Sequence, residues 1–254
     1  MEEIVPLFKS HCSLGRSILT LEKPKDEADS ETSDSVFDIA KQENLKDIFL
    51  VEDNMTGFLQ AYTNAEELGV KLVFGLRVTF CPDHANKSEE GRKNSYKNII
   101  FAKSNAGYKQ LIKIYTHAAQ DGFYYEPRTD NAKFKEFYSD DLMLAIPFYD
   151  SFLHVNKYTD SSCVPDFSFC DPVFFVEDND VLVDQDLESS VRKFCEGKYD
   201  VIKTKSIFYK NKMDFGAYLT HRCISKRTSL EKPNFDGMCS NEFCFESYKE
   251  AVNG

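Results

Sequence analysis

The amino-acid sequence predicts an α/β protein in which β/α units close into a TIM-like barrel rather than forming two open sheets. Three observations carry that expectation. Short apolar runs of strand length alternate with amphipathic stretches of helical period. The number of such units packed into 254 residues favours a closed or nearly closed ring. The composition, 42% hydrophobic with 22 Phe and 13 Tyr, supplies a full core and excludes wholesale disorder.

Lys23–Ser35 (KPKDEADSETSDS) is acidic, Ser-rich and nearly free of apolar residues. It reads as a solvated, flexible loop within a single domain over residues 1–254. Ser33 or Asp34 then caps a helix carrying Val36, Phe37, Ile39 and Ala40, and Asn44 suits its left-handed C′ position. Ile48–Val51 follows as a buried strand. The unit recurs. Gly57–Leu68 is helical, with Phe58, Leu59, Tyr62, Ala65 and Leu68 on a common face; Gly69 ends it and Lys71–Phe74 is the next strand. Asn98–Ala102 is a third strand, and Asn105–His117 a helix with Leu111, Ile112, Ile114 and Tyr115 inward. Later strands are expected at Leu142–Ile146, Pro172–Val176 and Tyr199–Lys203, with helices at Asp186–Cys195 and Met213–Ile224. Such a pattern predicts a parallel sheet, whose chemistry gathers at the C-terminal strand ends. Those ends carry His11, Glu52, Asp53, Arg77, Pro147, Phe148, Lys205, Ser206 and Phe208.

The formal charge is −11, from 31 Lys+Arg and 42 Asp+Glu. That argues against a chain that coats nucleic acid nonspecifically, because such binding neutralises phosphates with Lys and Arg. No apolar run approaches the roughly 20 residues of a membrane span. Met1–Phe8 carries two acids and no apolar signal core, so the expected location is the cytoplasm, with the eight Cys as reduced thiols. His221, Cys223, Cys239 and Cys244 offer four zinc ligands at a spacing that fits no compact zinc module. Neither a GxxxxGK phosphate loop nor a GxSxG elbow is present. Cys12 and His11 are neighbours and would face opposite sides of a strand, which argues against a nucleophile–base pair.

Phe101–Arg128 reads FAKSNAGYKQLIKIYTHAAQDGFYYEPR. It resembles the strand, the AKNxxGYxNL helix and the GFYYxPR turn of the PHP (polymerase and histidinol phosphatase) domain of the bacterial DNA polymerase III alpha subunit. LVEDNMTGF and AEELGVKLVFGLRV, within Leu50–Val78, are similar to that family's LTDHGNMFGxxxF and GIKPIIGCEAY. PLFKSHCSLGRSIL is similar to FVHLHVHSEYSLL, and Asp214–Thr228 with FCFESYKEA resembles the end of the domain. The resemblance covers nearly the whole chain. It implies a distorted seven-stranded (β/α) barrel whose cleft holds up to three divalent metals on His, Asp, Glu and sometimes Cys, for phosphoesterase or nuclease chemistry. Without polymerase palm, fingers and thumb the expectation is a stand-alone copy, as would suit a virus or mobile element working in a host cytoplasm.

Carried over position by position, the metal site is degenerate. Lys9-Ser10-His11 stands where the family has His-x-His, and Glu52-Asp53 where it has Asp-His. The bridging Glu is Arg77, the next His falls at Lys97, and the following strand position falls at Pro147 or Phe148. The final Asp-x-His is Ser206-Ile207-Phe208. His84, His117, His154 and His221 match no ligand position. Charged Lys and Arg cannot ligate a metal and would repel one. The expectation is therefore that fixed cations have replaced bound ones, pairing with Glu52 and Asp53, with no catalytic residues beyond vestigial His11, Glu52 and Asp53 and no cofactor. A rival expectation makes Lys9, Arg77, Lys97 and Lys205 an anion-binding set, helped by Lys203, Lys210 and Lys212.

The leading functional expectation is a catalytically inactive PHP-like domain acting by protein–protein contact in DNA replication or its control. Its partners would be a polymerase subunit, the proofreading exonuclease or the clamp; an acidic surface suits basic partners. The second is a residual phosphoesterase or exonuclease using His11, Glu52 and Asp53 with a single Mn, Zn or Mg ion. The third is a structural component of a larger assembly.

Overall fold

A computed structural model describes residues 3–24, 33–230 and 240–253. Most of the acidic loop (25–32) and Cys239 of the zinc alternative lie outside the described residues. Along the chain run β1 (Val5–Phe8), α1 (Val36–Gln42), β2 (Asp47–Glu52), α2 (Phe58–Leu68), β3 (Lys71–Phe80), α3 (Glu89–Lys93), β4 (Tyr96–Ala102), α4 (Asn105–Gln120), β5 (Arg128–Thr129), α5 (Asn131–Phe137), β6 (Leu142–Ile146), α6 (Phe152–Tyr158), β7 (Val173–Val176), α7 (Asp184–Cys195), β8 (Val201–Ile207), a 3-10 turn (Lys212–Asp214), α8 (Phe215–Lys226) and α9 (Phe245–Asn253). The hydrogen-bonded strand order is β2-β1-β8-β7-β6-β4-β3-β5, and β2 also pairs with β3. Seven strands thus form a closed order with β5 outside it, the α/β, TIM-like barrel class. No helix among the described residues is long and apolar enough to cross a membrane.

One feature corrects the expected parallel sheet: β4 runs antiparallel to both β3 and β6. The link from β3 to β4 holds only the five-residue α3 and makes no helical crossover, so the chain returns beside the strand it left.

The chain divides into two compact units. The first comprises 1–74, 177–184 and 203–254. Here β1 is central, pairing in parallel with β2 (Leu7↔Phe49, Phe8↔Leu50) and with β8 (Val5↔Thr204 to Phe8↔Ile207). Helix α1 starts at Ser35 rather than Ser33 or Asp34, because the Ser35 Oγ accepts the Phe37 N–H at 3.1 Å. Asn44 takes the left-handed position past its end, with φ of 52°. In α2 the buried face is Ala61, Asn64 and Ala65; Leu59 and Tyr62 point outward. Small residues let this helix approach closely, and Asn64 Nδ2 donates to the Leu21 carbonyl at 2.7 Å, so the larger side chains are not the buried ones. Phe208 stacks on Phe243 and Tyr218, and Phe8 on Phe245, which anchors α8 and α9.

The second unit comprises 75–176 and 185–202. Its core is an aromatic cluster of Phe152, Phe167, Phe174, Phe194 and Tyr199, with ring centroids 5.3–6.4 Å apart. Helix α4 buries Leu111 and Ile114, but Ile112 lies on its exposed side. The glycines of the GY and GFYY stretches are demanded by close approach. A Cβ at Gly107 would lie 2.2 Å from the Asp141 carbonyl oxygen, and one at Gly122 would lie 1.8 Å from that of Arg128.

Candidate functional site

In the first unit, the parallel pairing of Phe8 with Leu50 brings the C-terminal ends of β1 and β2 side by side. Lys9 leaves the end of β1 and Glu52 ends β2, with Asp53 next. Lys9 Nζ lies 2.8 Å from Asp53 Oδ1, and Arg16 Nε lies 3.7 Å from Oδ2. The Lys9 side chain is only 7% exposed, so its charge is held inside the protein and has an acid as partner. Glu52 is fully buried. Its Oε1 accepts the Ser10 N–H at 2.8 Å, and its Oε2 accepts the Ser13 hydroxyl. Ser13 Oγ in turn accepts the Asp53 N–H at 2.8 Å. Burial pushes the Glu52 carboxyl above the usual range, against the pull of Lys9 and the two serines. His11 sits exposed in the turn beyond, tied by its backbone N–H to the Leu19 carbonyl at 2.8 Å.

At the ends of β7 and β8 a second buried carboxylate appears in the same unit. Glu177 Oε1 accepts the Ser206 hydroxyl at 2.8 Å, and Oε2 accepts the Ser206 N–H at 3.0 Å and Asn179 Nδ2 at 2.8 Å. Burial raises its pKa, opposed by Asn179, Ser206 and Lys205. Lys205, 5% exposed, donates to the Asp178 carbonyl at 2.6 Å; burial pulls its pKa down, with Glu242 the first of the acids opposing. Phe208 is buried within its aromatic stack.

In the second unit, Arg77 of β3 pairs with the Asp150 carboxylate. Lys97 of β4 lies directly across from Thr79, contacts its hydroxyl, and sits 2.6 Å from Glu126. Burial alone would raise the Glu126 carboxyl, but Lys97 and Thr79 hold it below the usual range. The Asp150 carbonyl also accepts the Lys97 N–H at 2.7 Å. Asp150 adopts a left-handed φ of 61°, uncommon for a non-glycine residue. Phe148 is fully buried.

The structure therefore brings together Lys9 and Asp53 beside Glu52, and Lys205 and Ser206 around Glu177, while the exposed His11 ring lies outside these contacts. Sequence reasoning did not name Glu126, Asp150 or Glu177. Glu177 had a signal: a lone acid directly after the apolar run Val173–Val176, where a barrel places its chemistry. Asp150 and Glu126 lie in loops, and nothing in their local pattern marks them.

Comparison with known proteins adds to this geometry. The PHP domain family model matches residues 29–163, just over half of the chain. This chain belongs to the PHP domain family. It is similar to the DNA polymerase III subunit alpha of Borreliella burgdorferi, 33% identical over 94 residues, covering 36% of this chain and 8% of that protein. The corresponding subunit of Aquifex aeolicus is 27% identical over 207 residues, covering 74% and 18%. That of Thermus aquaticus is 25% identical over 211 residues, covering 78% and 17%. The PHP chain thus spans less than a fifth of the length of these relatives.

Proposed function

We propose that this PHP domain acts in DNA replication as a protein-binding platform in the cytoplasm and is not a hydrolase. The observation that carries the reading is the occupancy of the family's ligand positions. Lys9 is on Asp53, Arg77 on Asp150, Lys97 on Glu126, and Ser206 on Glu177. The donor set does not fit the family's metal cluster. Ammonium and guanidinium groups stand at Lys9, Arg77 and Lys97, where the family has imidazoles and carboxylates, and while charged they cannot ligate a metal. Fixed cations supply the positive charge that bound ions would otherwise bring. The same occupancy weighs against an anion pocket, because Lys9, Arg77, Lys97 and Lys205 each hold an acid or a carbonyl already.

A net charge of −11 supports docking onto basic surfaces, with association that weakens as salt screens it. The test is surface plasmon resonance with the full chain immobilised and purified polymerase III subunits, proofreading exonuclease and sliding clamp as analytes. Saturable, salt-sensitive binding to one of them supports the platform. No binding to any, together with manganese-dependent phosphodiester cleavage that Glu52→Gln abolishes, would replace it with the residual hydrolase.

A further inference from the structure

Outside the family's ligand positions, the second unit gathers metal-binding side chains beyond the end of β3. The parallel pairing of Phe80 with Thr129 lays Cys81–His84 alongside Asp130. One ligand atom from each of Asp83, His84 and Asp130 lies within 4.8 Å of the other two. His84 Nδ1 contacts Asp130 Oδ2, and the His84 N–H donates to the same oxygen at 3.1 Å. Asp83 is exposed, His84 half-buried and Asp130 buried, so the cluster opens to solvent on one side and an ion has a way in. The buried Arg128 fixes the loop, donating through Nη2 to the His84 and Asn86 carbonyls at 3.4 and 3.3 Å. Two carboxylates against one guanidinium leave the cluster net anionic when the imidazoles are neutral.

A second observation, independent of that cluster, points to an ion. His117 of α4 is 7% exposed and packs its ring against that of His84, centroids 4.7 Å apart at 77°. Its Nδ1 lies 3.1 Å from the Asp121 carboxylate, which favours the proton on Nδ1 and leaves a lone pair on Nε2. That Nε2 is buried and meets no hydrogen-bond partner among the described residues. A buried imidazole held from behind by a carboxylate, with its other nitrogen unmet, is the arrangement that metal-ligating histidines adopt.

We propose that Asp83, His84 and Asp130 bind one divalent transition-metal ion, with His117 as the buried imidazole beside them. Two carboxylates with an imidazole nitrogen suit zinc. The proposal is independent of the platform reading, because it uses none of the positions on which that reading rests. The test is calorimetric titration of zinc alone into the full chain purified in chelator. One equivalent should bind. His84→Ala should abolish binding and Asp83→Ala should weaken it at least roughly tenfold. Glu52→Gln should leave binding unchanged. Asp83 is exposed, so that variant retains the fold, which far-ultraviolet circular dichroism checks. No binding up to millimolar zinc overturns the site. So does binding indifferent to Asp83→Ala and His84→Ala, or binding lost in Glu52→Gln.

Discussion

Replacing Lys9 by methionine keeps an unbranched side chain one heavy atom shorter and removes its charge. Lys9 Nζ sits 2.8 Å from Asp53, with side chains 7% and 28% exposed. At an effective dielectric near 20 the gross attraction at that distance is about 6 kcal/mol. Most of it is offset by the cost of holding Lys9 away from water, which is several kcal/mol. After the substitution Asp53 keeps Arg16 at 3.7 Å and some solvent, while buried Glu52 loses the cation that stabilises its charge. The net loss should fall at about 2–3 kcal/mol, between the ~1 kcal/mol of an exposed pair and the ~3–5 kcal/mol of breaking a fully buried one. Urea unfolding followed by circular dichroism at neutral pH reads it. The double variant Lys9→Met/Asp53→Asn should recover part of the loss, with a coupling of roughly 1 kcal/mol or more. A single variant within about 0.5 kcal/mol of the parent, or strict additivity in the double, would refute the reasoning that a fixed cation holds this site together.

Further outcomes follow from the same packing. Glu177 has its pKa raised by burial, so the folded state holds its proton more tightly than the unfolded chain does. Its contribution to stability is fully present below the ordinary glutamate value of about 4.3 and is lost as pH rises through the higher folded value. Glu177→Gln should therefore remove part of the stability decline between about 4.3 and that higher folded value, and urea titrations showing the same pH slope there in both proteins would count against it. Gly107→Ala should destabilise by roughly 1–3 kcal/mol in thermal melts, although alanine favours helix, because its Cβ would meet the Asp141 carbonyl oxygen; a stabilised variant would show that the contact relaxes freely. Leu59→Ser should shift stability by less than about 0.5 kcal/mol, while Ala61→Leu should cost roughly 1–3 kcal/mol. The reverse order would mean that α2 packs by its larger side chains.

Most of the strands and the longer helices were legible in the sequence because their signals are local. VFFV, IFLV and LMLAI are apolar runs of strand length, and Gly69 and Asn44 sit where left-handed backbone ends a helix. The direction of β4 was not legible, because apolar periodicity gives strand existence and says nothing of the partner's orientation. The face of α2 was misread because residue size stood in for burial, whereas close packing selected Ala61 and Ala65 and a hydrogen-bonded Asn64. At the site, the cations Lys9, Arg77 and Lys97 could be read from the sequence. Their partners could not all be read, since Asp150 and Glu126 lie in loops far along the chain, and only the fold brings them to Arg77 and Lys97. The Asp83, His84 and Asp130 cluster escaped for the same reason: 46 residues separate His84 from Asp130.

The most direct test of the central claim is a manganese titration of the full chain carrying Asp83→Ala and His84→Ala, with phosphodiester turnover followed in the same samples. The account predicts no binding below millimolar manganese and no turnover, because the charged Lys9 is held on Asp53 beside Glu52 and cannot ligate a metal. Micromolar binding with turnover, both lost on Glu52→Gln, would contradict it.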